Sequence, residues 1–129
     1  MSTWYAAIAL CGLLLPTIGC AYHGATSDDY VKFGVLVASY RLWNEATFRF
    51  EQAVKVDPKN AAAWNNLGLA YEQLQQDEKA LAAYDCALAL EPDNVWILQN
   101  YDYLRERLAA RKLPDRSADT DNDCHATQD

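Results

Sequence analysis

The feature that most constrains this chain is an internal repeat with a period of 34 residues. Shifted by 34, Gly34 falls on Gly68, Ala46 on Ala80, Phe50 on Tyr84, Ala53 on Ala87 and Pro58 on Pro92. Tyr30 falls on Trp64 and Phe33 on Leu67. The closing turns coincide as well, Asp57-Pro58-Lys59-Asn60 with Glu91-Pro92-Asp93-Asn94. A period of this length marks one supersecondary unit stacked on a copy of itself, each burying a face it cannot bury alone. The unit reads as two antiparallel helices joined by a tight turn.

The residue types at the repeated positions follow from that packing. Gly34, Gly68, Ala46 and Ala80 remove bulk where paired helices cross, so that the axes can approach closely. Trp64, Tyr71 and Tyr84 fill the spaces between those small residues. Pro58 and Pro92 end the second helix of each unit, and Asn60 and Asn94 offer caps for the helix that follows. The spacing predicts helices over 28–42, 45–56, 62–75, 78–90 and 95–111. The fifth has no partner. Its residues Ile97, Leu98, Tyr101, Leu104 and Leu108 form an apolar stripe able to cover the second unit. Arg105, Arg107, Arg111 and Lys112 are expected on its solvated side, where they complement the helix dipole.

Trp64, Leu67, Gly68, Tyr71, Ala80, Tyr84, Ala87 and Pro92 together make the second copy resemble a tetratricopeptide repeat (TPR). Tyr30, Phe33, Gly34, Val37, Ala46, Phe50, Ala53 and Pro58 carry the resemblance in the first, with Val37 where Tyr is usual. The resemblance implies an all-α fold, a TPR-like α-solenoid of two helix-turn-helix repeats and a C-terminal capping helix. The expected organisation is a lipoprotein-type signal peptide over 1–19 and an anchor linker over 20–26. TPR 1 follows over 27–60, TPR 2 over 61–94, the capping helix over 95–113 and a disordered acidic tail over 114–129. Two units and a cap fall short of the three repeats that stability usually requires, which favours self-association or a bound partner.

In that family the first helix of each unit lines a concave groove that holds a protein or peptide partner. The resemblance carries this role to Val31, Lys32, Val35, Ala38 and Ser39 in the first unit and to Asn65, Asn66, Leu69, Glu72 and Gln73 in the second. On the capping helix it falls to Trp96, Gln99, Asn100, Tyr103 and Glu106. TPR domains that clamp a C-terminal carboxylate do so with Lys, Asn and Arg, and here only Asn66 matches. The groove is instead rich in amides, which bond a peptide backbone without reading its charge, with aromatics at one end.

Ahead of the repeats, no Asp, Glu, Lys or Arg occurs before Asp28. The apolar run over 4–18 suits a signal-peptide core better than a spanning helix, which needs about 20 apolar residues. It runs into Thr17-Ile18-Gly19-Cys20, which resembles a bacterial lipobox, although Met1-Ser2-Thr3 lacks a base and Thr17 stands where Leu is usual. The resemblance implies cleavage before Cys20 and lipidation of its thiol, since acyl chains bury enough CH₂ groups to hold a domain at a bilayer. With Ala21 where Asp would retain such a protein at the inner membrane, the resemblance implies an outer-membrane lipoprotein facing the periplasm, similar to the small TPR lipoproteins that assist outer-membrane protein, secretin or pilus assembly. The alternatives are inner-membrane anchoring and a soluble periplasmic or secreted adaptor. An uncleaved anchor and a buried first helix also remain open for the run itself.

Charge excludes other classes. Lys and Arg number 11 against 18 Asp and Glu, a formal net charge of −7, with no basic stripe for nucleic acid. No cofactor, metal site or catalytic constellation is expected. His23 and His125 lie outside the repeats, where no rigid scaffold positions them. Asp119-Thr120-Asp121-Asn122-Asp123 opens like a calcium loop, but Cys124 stands where Gly is needed and no Glu closes it. Cys86 and Cys124 could pair in an oxidising compartment, stay as thiols or pair between molecules.

Overall fold

The computed structural model describes residues 24–111, and the described residues form five helices with no strand. They are α1 (Ser27–Ser39), α2 (Trp43–Val56), α3 (Ala61–Gln73), α4 (Asp77–Leu90) and α5 (Val95–Ala110). The expected signal peptide, Cys20, His23, Lys112 and the tail with Cys124 and His125 lie outside the described residues.

The repeat is visible in the boundaries. Thr26, Asn60 and Asn94 are the N-caps of α1, α3 and α5, each accepting backbone N–H bonds one turn ahead. Thr26 adds a full capping box with Asp29, whose carboxylate is held below the usual range by the Thr26 backbone N–H and hydroxyl. Ahead of each proline, Asp57 and Glu91 turn extended (φ −138° and −134°), which stops α2 and α4.

α1 and α3 end two to three residues earlier than the apolar pattern suggests. The reason is local. Arg41 and Gln75 adopt left-handed φ of 60° and 58°, and the next N–H groups reach back five residues, Leu42 to Val37 and Gln76 to Tyr71. This closure usually takes glycine, which suffers no Cβ clash there.

One apolar cluster joins the two units: Val37, Ala46, Phe50, Ala53 and Val54 pack with Ala63, Leu67, Ala70 and Ala83. Gly34 and Gly68 are the contact points within each unit. A Cβ on Gly34 would lie 2.5 Å from the Phe50 ring, and one on Gly68 would lie 2.6 Å from the Tyr84 ring. Both rings are buried and cannot step aside. Gly68→Ala should therefore destabilise the protein by about 1–3 kcal/mol, more than offsetting the roughly 1 kcal/mol that alanine contributes to a helix. A thermal melt measures it, and an unchanged melting temperature would mean the ring does not press on the helix.

α5 docks at two places. Ile97 packs with Ala61 and Ala87, while Leu104 packs with Ala80 and Tyr84. Tyr101 and Leu108 are half-buried at the edge of the second contact. Leu98, expected in this stripe, is instead 36% exposed, because only Ile97 and Leu104 point squarely at the second unit. The stripe is narrower than the sequence suggests.

Candidate functional site

The groove residues expected from the sequence fall on the side chains that α3 and α5 turn outward. Along α3, Asn65, Leu69 and Gln73 recur at four-residue spacing, so they share one face. Asn65 and Asn66 are half-buried, while Leu69 and Gln73 are exposed. On α5, Trp96, Gln99, Asn100 and Tyr103 form the matching stripe. Asn100 Nδ2 donates to Asn65 Oδ1 at 3.0 Å, so the two stripes lie side by side. Trp96 is 72% exposed and Tyr103 62%, so neither aromatic belongs to the core. Val35 of α1 is also exposed, and Val31 is half-buried against the apolar cluster.

Glu72 is the exception. Expected in the groove, it is only 6% exposed and wholly committed inside the protein. Tyr84 Oη donates to Glu72 Oε1 at 2.6 Å, and Arg107 Nη1 of α5 lies 3.2 Å from Glu72 Oε2. Arg107 Nη2 also reaches Asp77 Oδ1 at 2.6 Å, and Arg111 Nη1 meets Asp77 Oδ2 at 3.3 Å. This corrects two expectations, since Arg107 leaves the solvated side of α5 and Glu72 leaves the ligand surface. The physical reason is pairing: a carboxylate this deep needs a cation, and α5 delivers one beside its second anchor, Leu104. Burial, then the bond to Glu72, raises the Tyr84 hydroxyl far above its ordinary range, so it stays a donor.

The sequence did carry a faint signal of this network. Glu72 follows Tyr71 and Arg107 precedes Leu108, positions the pattern marks as packed. What the repeat could not supply is that the two meet, because they belong to different units.

Little else resembles chemistry. Burial raises Asp85, countered by its hydrogen bond from Tyr101 and by Arg105. No group of three or more metal-ligating side chains occurs among the described residues. Cys86 is buried and disulfide-bonded, and it is the one cysteine among the described residues. No described helix is long and apolar enough to cross a membrane.

Comparison with known proteins follows the same repeats. Residues 61–94 match the family described as "Tetratricopeptide repeat", and residues 43–75 match that described as "TPR repeat". The chain is similar to the tetratricopeptide repeat domain-containing protein PYG7, chloroplastic, of Arabidopsis thaliana. The two are 39% identical over 64 residues, 50% of this chain and 21% of that protein. It is similar to the uncharacterized protein ycf37 of Guillardia theta, with 31% identity over 88 residues, 64% of this chain and 49% of the relative. A third relative is the peroxisomal targeting signal receptor of Yarrowia lipolytica, 34% identical over 73 residues, 56% of this chain and 12% of the receptor. The chain thus spans no more than about half the length of these relatives.

Proposed function

The chain belongs to the tetratricopeptide repeat family, and from that premise we propose that it is a membrane-tethered module that binds an extended peptide or a helix of a partner protein. Protein–protein interaction is what the repeats support directly. The observation that carries the finer reading is the Asn65–Asn100 bond, which aligns two outward stripes of amide and aromatic side chains. Amides along one line can bond successive backbone groups of an extended segment, and Trp96 and Tyr103 offer flat apolar area beside them. No Lys or Arg stands among Asn65, Asn66, Leu69, Gln73, Trp96, Gln99, Asn100 and Tyr103, so the reading favours backbone recognition over a carboxylate clamp. The Yarrowia relative, by name a targeting signal receptor, fits a family that recognises protein segments. A scaffold role rather than catalysis is the reading that TPR proteins favour in general.

The tether rests on the sequence, through the charge-free run over 4–18 and Thr17-Ile18-Gly19-Cys20. In this reading Cys20 carries lipid, the repeats face the periplasm from an outer membrane, and the partner belongs to an outer-membrane, pilus or secretion complex.

Two experiments test the parts separately. Cys20→Ala should release the protein from the membrane fraction and abolish labelling with a palmitate analogue, while circular dichroism stays helical. A variant that still pellets after a high-salt wash removes the lipid tether. For the groove, the Trp96→Ala/Tyr103→Ala double variant should weaken capture of the envelope partner at least tenfold. Both side chains are largely exposed, so its melting temperature should move by only a few degrees. Unchanged capture removes the aromatic end of the groove.

A further inference from the structure

Cys86 stands apart from the other buried residues of α4. It is 6% exposed, yet among the described residues it joins none of the apolar clusters that hold the helices together. Ala82, Ala89 and Leu90, one turn away on its side of α4, are exposed. The repeat does not ask for a buried apolar residue here either, since its counterpart one unit earlier is the half-buried Gln52 of α2. The Cys86 sulfur is in a disulfide, and that bond accounts for a buried side chain on an outward strip. The other half-cystine lies outside the described residues, and the sequence offers Cys11, Cys20 and Cys124.

We propose that Cys86 pairs with Cys124 and that this cross-link is a redox-sensitive clamp on α5. The choice of partner rests on the lipid-tether reading, in which Cys11 leaves with the signal peptide and the Cys20 sulfur carries lipid. A sulfur already bonded to two carbons cannot enter a disulfide. Chain reach allows the pair that remains. Arg111 Nη1 lies 3.3 Å from Asp77 Oδ2, so α5 ends beside the start of α4. Cys86 lies about 13 Å further along α4 from Asp77, at 1.5 Å per residue. Residues 112–124 can extend to roughly 40 Å. The periplasm, where the same reading puts the repeats, is an oxidising compartment. There one cysteine thiolate attacks a disulfide-bearing oxidant to give a mixed disulfide. The other thiolate then attacks that cysteine's sulfur, and the oxidant leaves as two thiols holding the two protons. The bond closes a loop over residues 87–123, which contains the whole of α5. Ile97 and Leu104 are the buried residues of α5. Closing the loop restricts the unfolded chain and so favours the docked helix. Reduction loosens the helix that carries Trp96 and Tyr103, so the state of one bond bears on the groove.

The test uses the full-length chain extracted in detergent, its free thiols blocked with iodoacetamide before any reductant is added. Tryptic digestion should give residues 80–105 joined to residues 117–129, a species that a phosphine reductant splits. Reduction should lower the melting temperature of the wild type by about ten degrees or more. Cys124→Ser should melt at the reduced value and ignore the reductant, which a general effect of the phosphine would not produce. Cys86 joined to Cys11 or Cys20 overturns the proposal and the lipid tether together. Cys86 found alkylated, or joined to a second molecule, beside a lipidated Cys20 overturns the proposal and leaves the tether standing. A Cys86–Cys124 bond whose reduction leaves the melting temperature unchanged overturns the clamp.

Discussion

Arg107→Met should destabilise the protein by about 3–5 kcal/mol at neutral pH, measured by urea unfolding. The Glu72 side chain is 4% exposed, and Arg107 is the cation within reach of it. Removing that cation leaves a buried carboxylate held only by the Tyr84 hydroxyl at 2.6 Å. Asp77 suffers less, because Arg111 stays 3.3 Å from its other oxygen. A buried ion pair is weak proof of net stabilisation, and here Arg107 Nε is itself buried without a partner, which adds to the cost. The sharper expectation is therefore a difference. Glu72→Gln/Arg107→Met removes both charges while an amide still accepts from Tyr84, and it should recover most of the loss. A single variant within 1 kcal/mol of wild type would show that the network contributes little. A domain of this size has only about 5–15 kcal/mol in total, so the single variant should sit close to unfolding at 37 °C.

Leu104→Ala should cost about 2–5 kcal/mol, with a melting temperature lower by ten degrees or more. Leu104 is fully buried against Ala80 and Tyr84, and it shares with Ile97 the whole fully buried anchorage of α5. Alanine at this position leaves a cavity beneath the helix that carries Trp96, Tyr103 and Arg107. Partner binding should weaken only as far as α5 detaches, the reverse of the Trp96→Ala/Tyr103→Ala pattern. Leu104 and Arg107 are one turn apart and dock the same helix, so their double variant should lose less than the two single losses combined. A Leu104→Ala melt within a few degrees of wild type would mean that the site collapses without a cavity, or that α5 contributes little to the fold.

Tyr84 shows where sequence reasoning reached and where it stopped. Its place in the repeat marks it as an aromatic core residue, and it lies on Gly68 at full burial. That its hydroxyl needed an acceptor follows from burying a phenol. That the acceptor would be Glu72 does not, because the repeat consensus is silent on side chains outside it. The helix ends divide in the same way. Pro58 and Pro92 announce the ends of α2 and α4 in the sequence, whereas Arg41 and Gln75 take a left-handed conformation that nothing in their identity requires.

By itself, then, the sequence determined the repeat period, the helix pairs, the caps Asn60 and Asn94 and the glycine–aromatic contacts. Each follows from local stereochemistry or from an apolar pattern that recurs every 34 residues. Tertiary structure alone decided which exposed-looking residues are exposed. Packing α5 across α3 and α4 drew Glu72 and Arg107 inward as a pair, and it left Trp96 and Tyr103 outside. Phe33 and Leu36 are exposed, although their counterparts Leu67 and Ala70 are buried by the first unit. Burial of these residues depends on what the neighbouring unit presents. A residue's own type and spacing cannot report that.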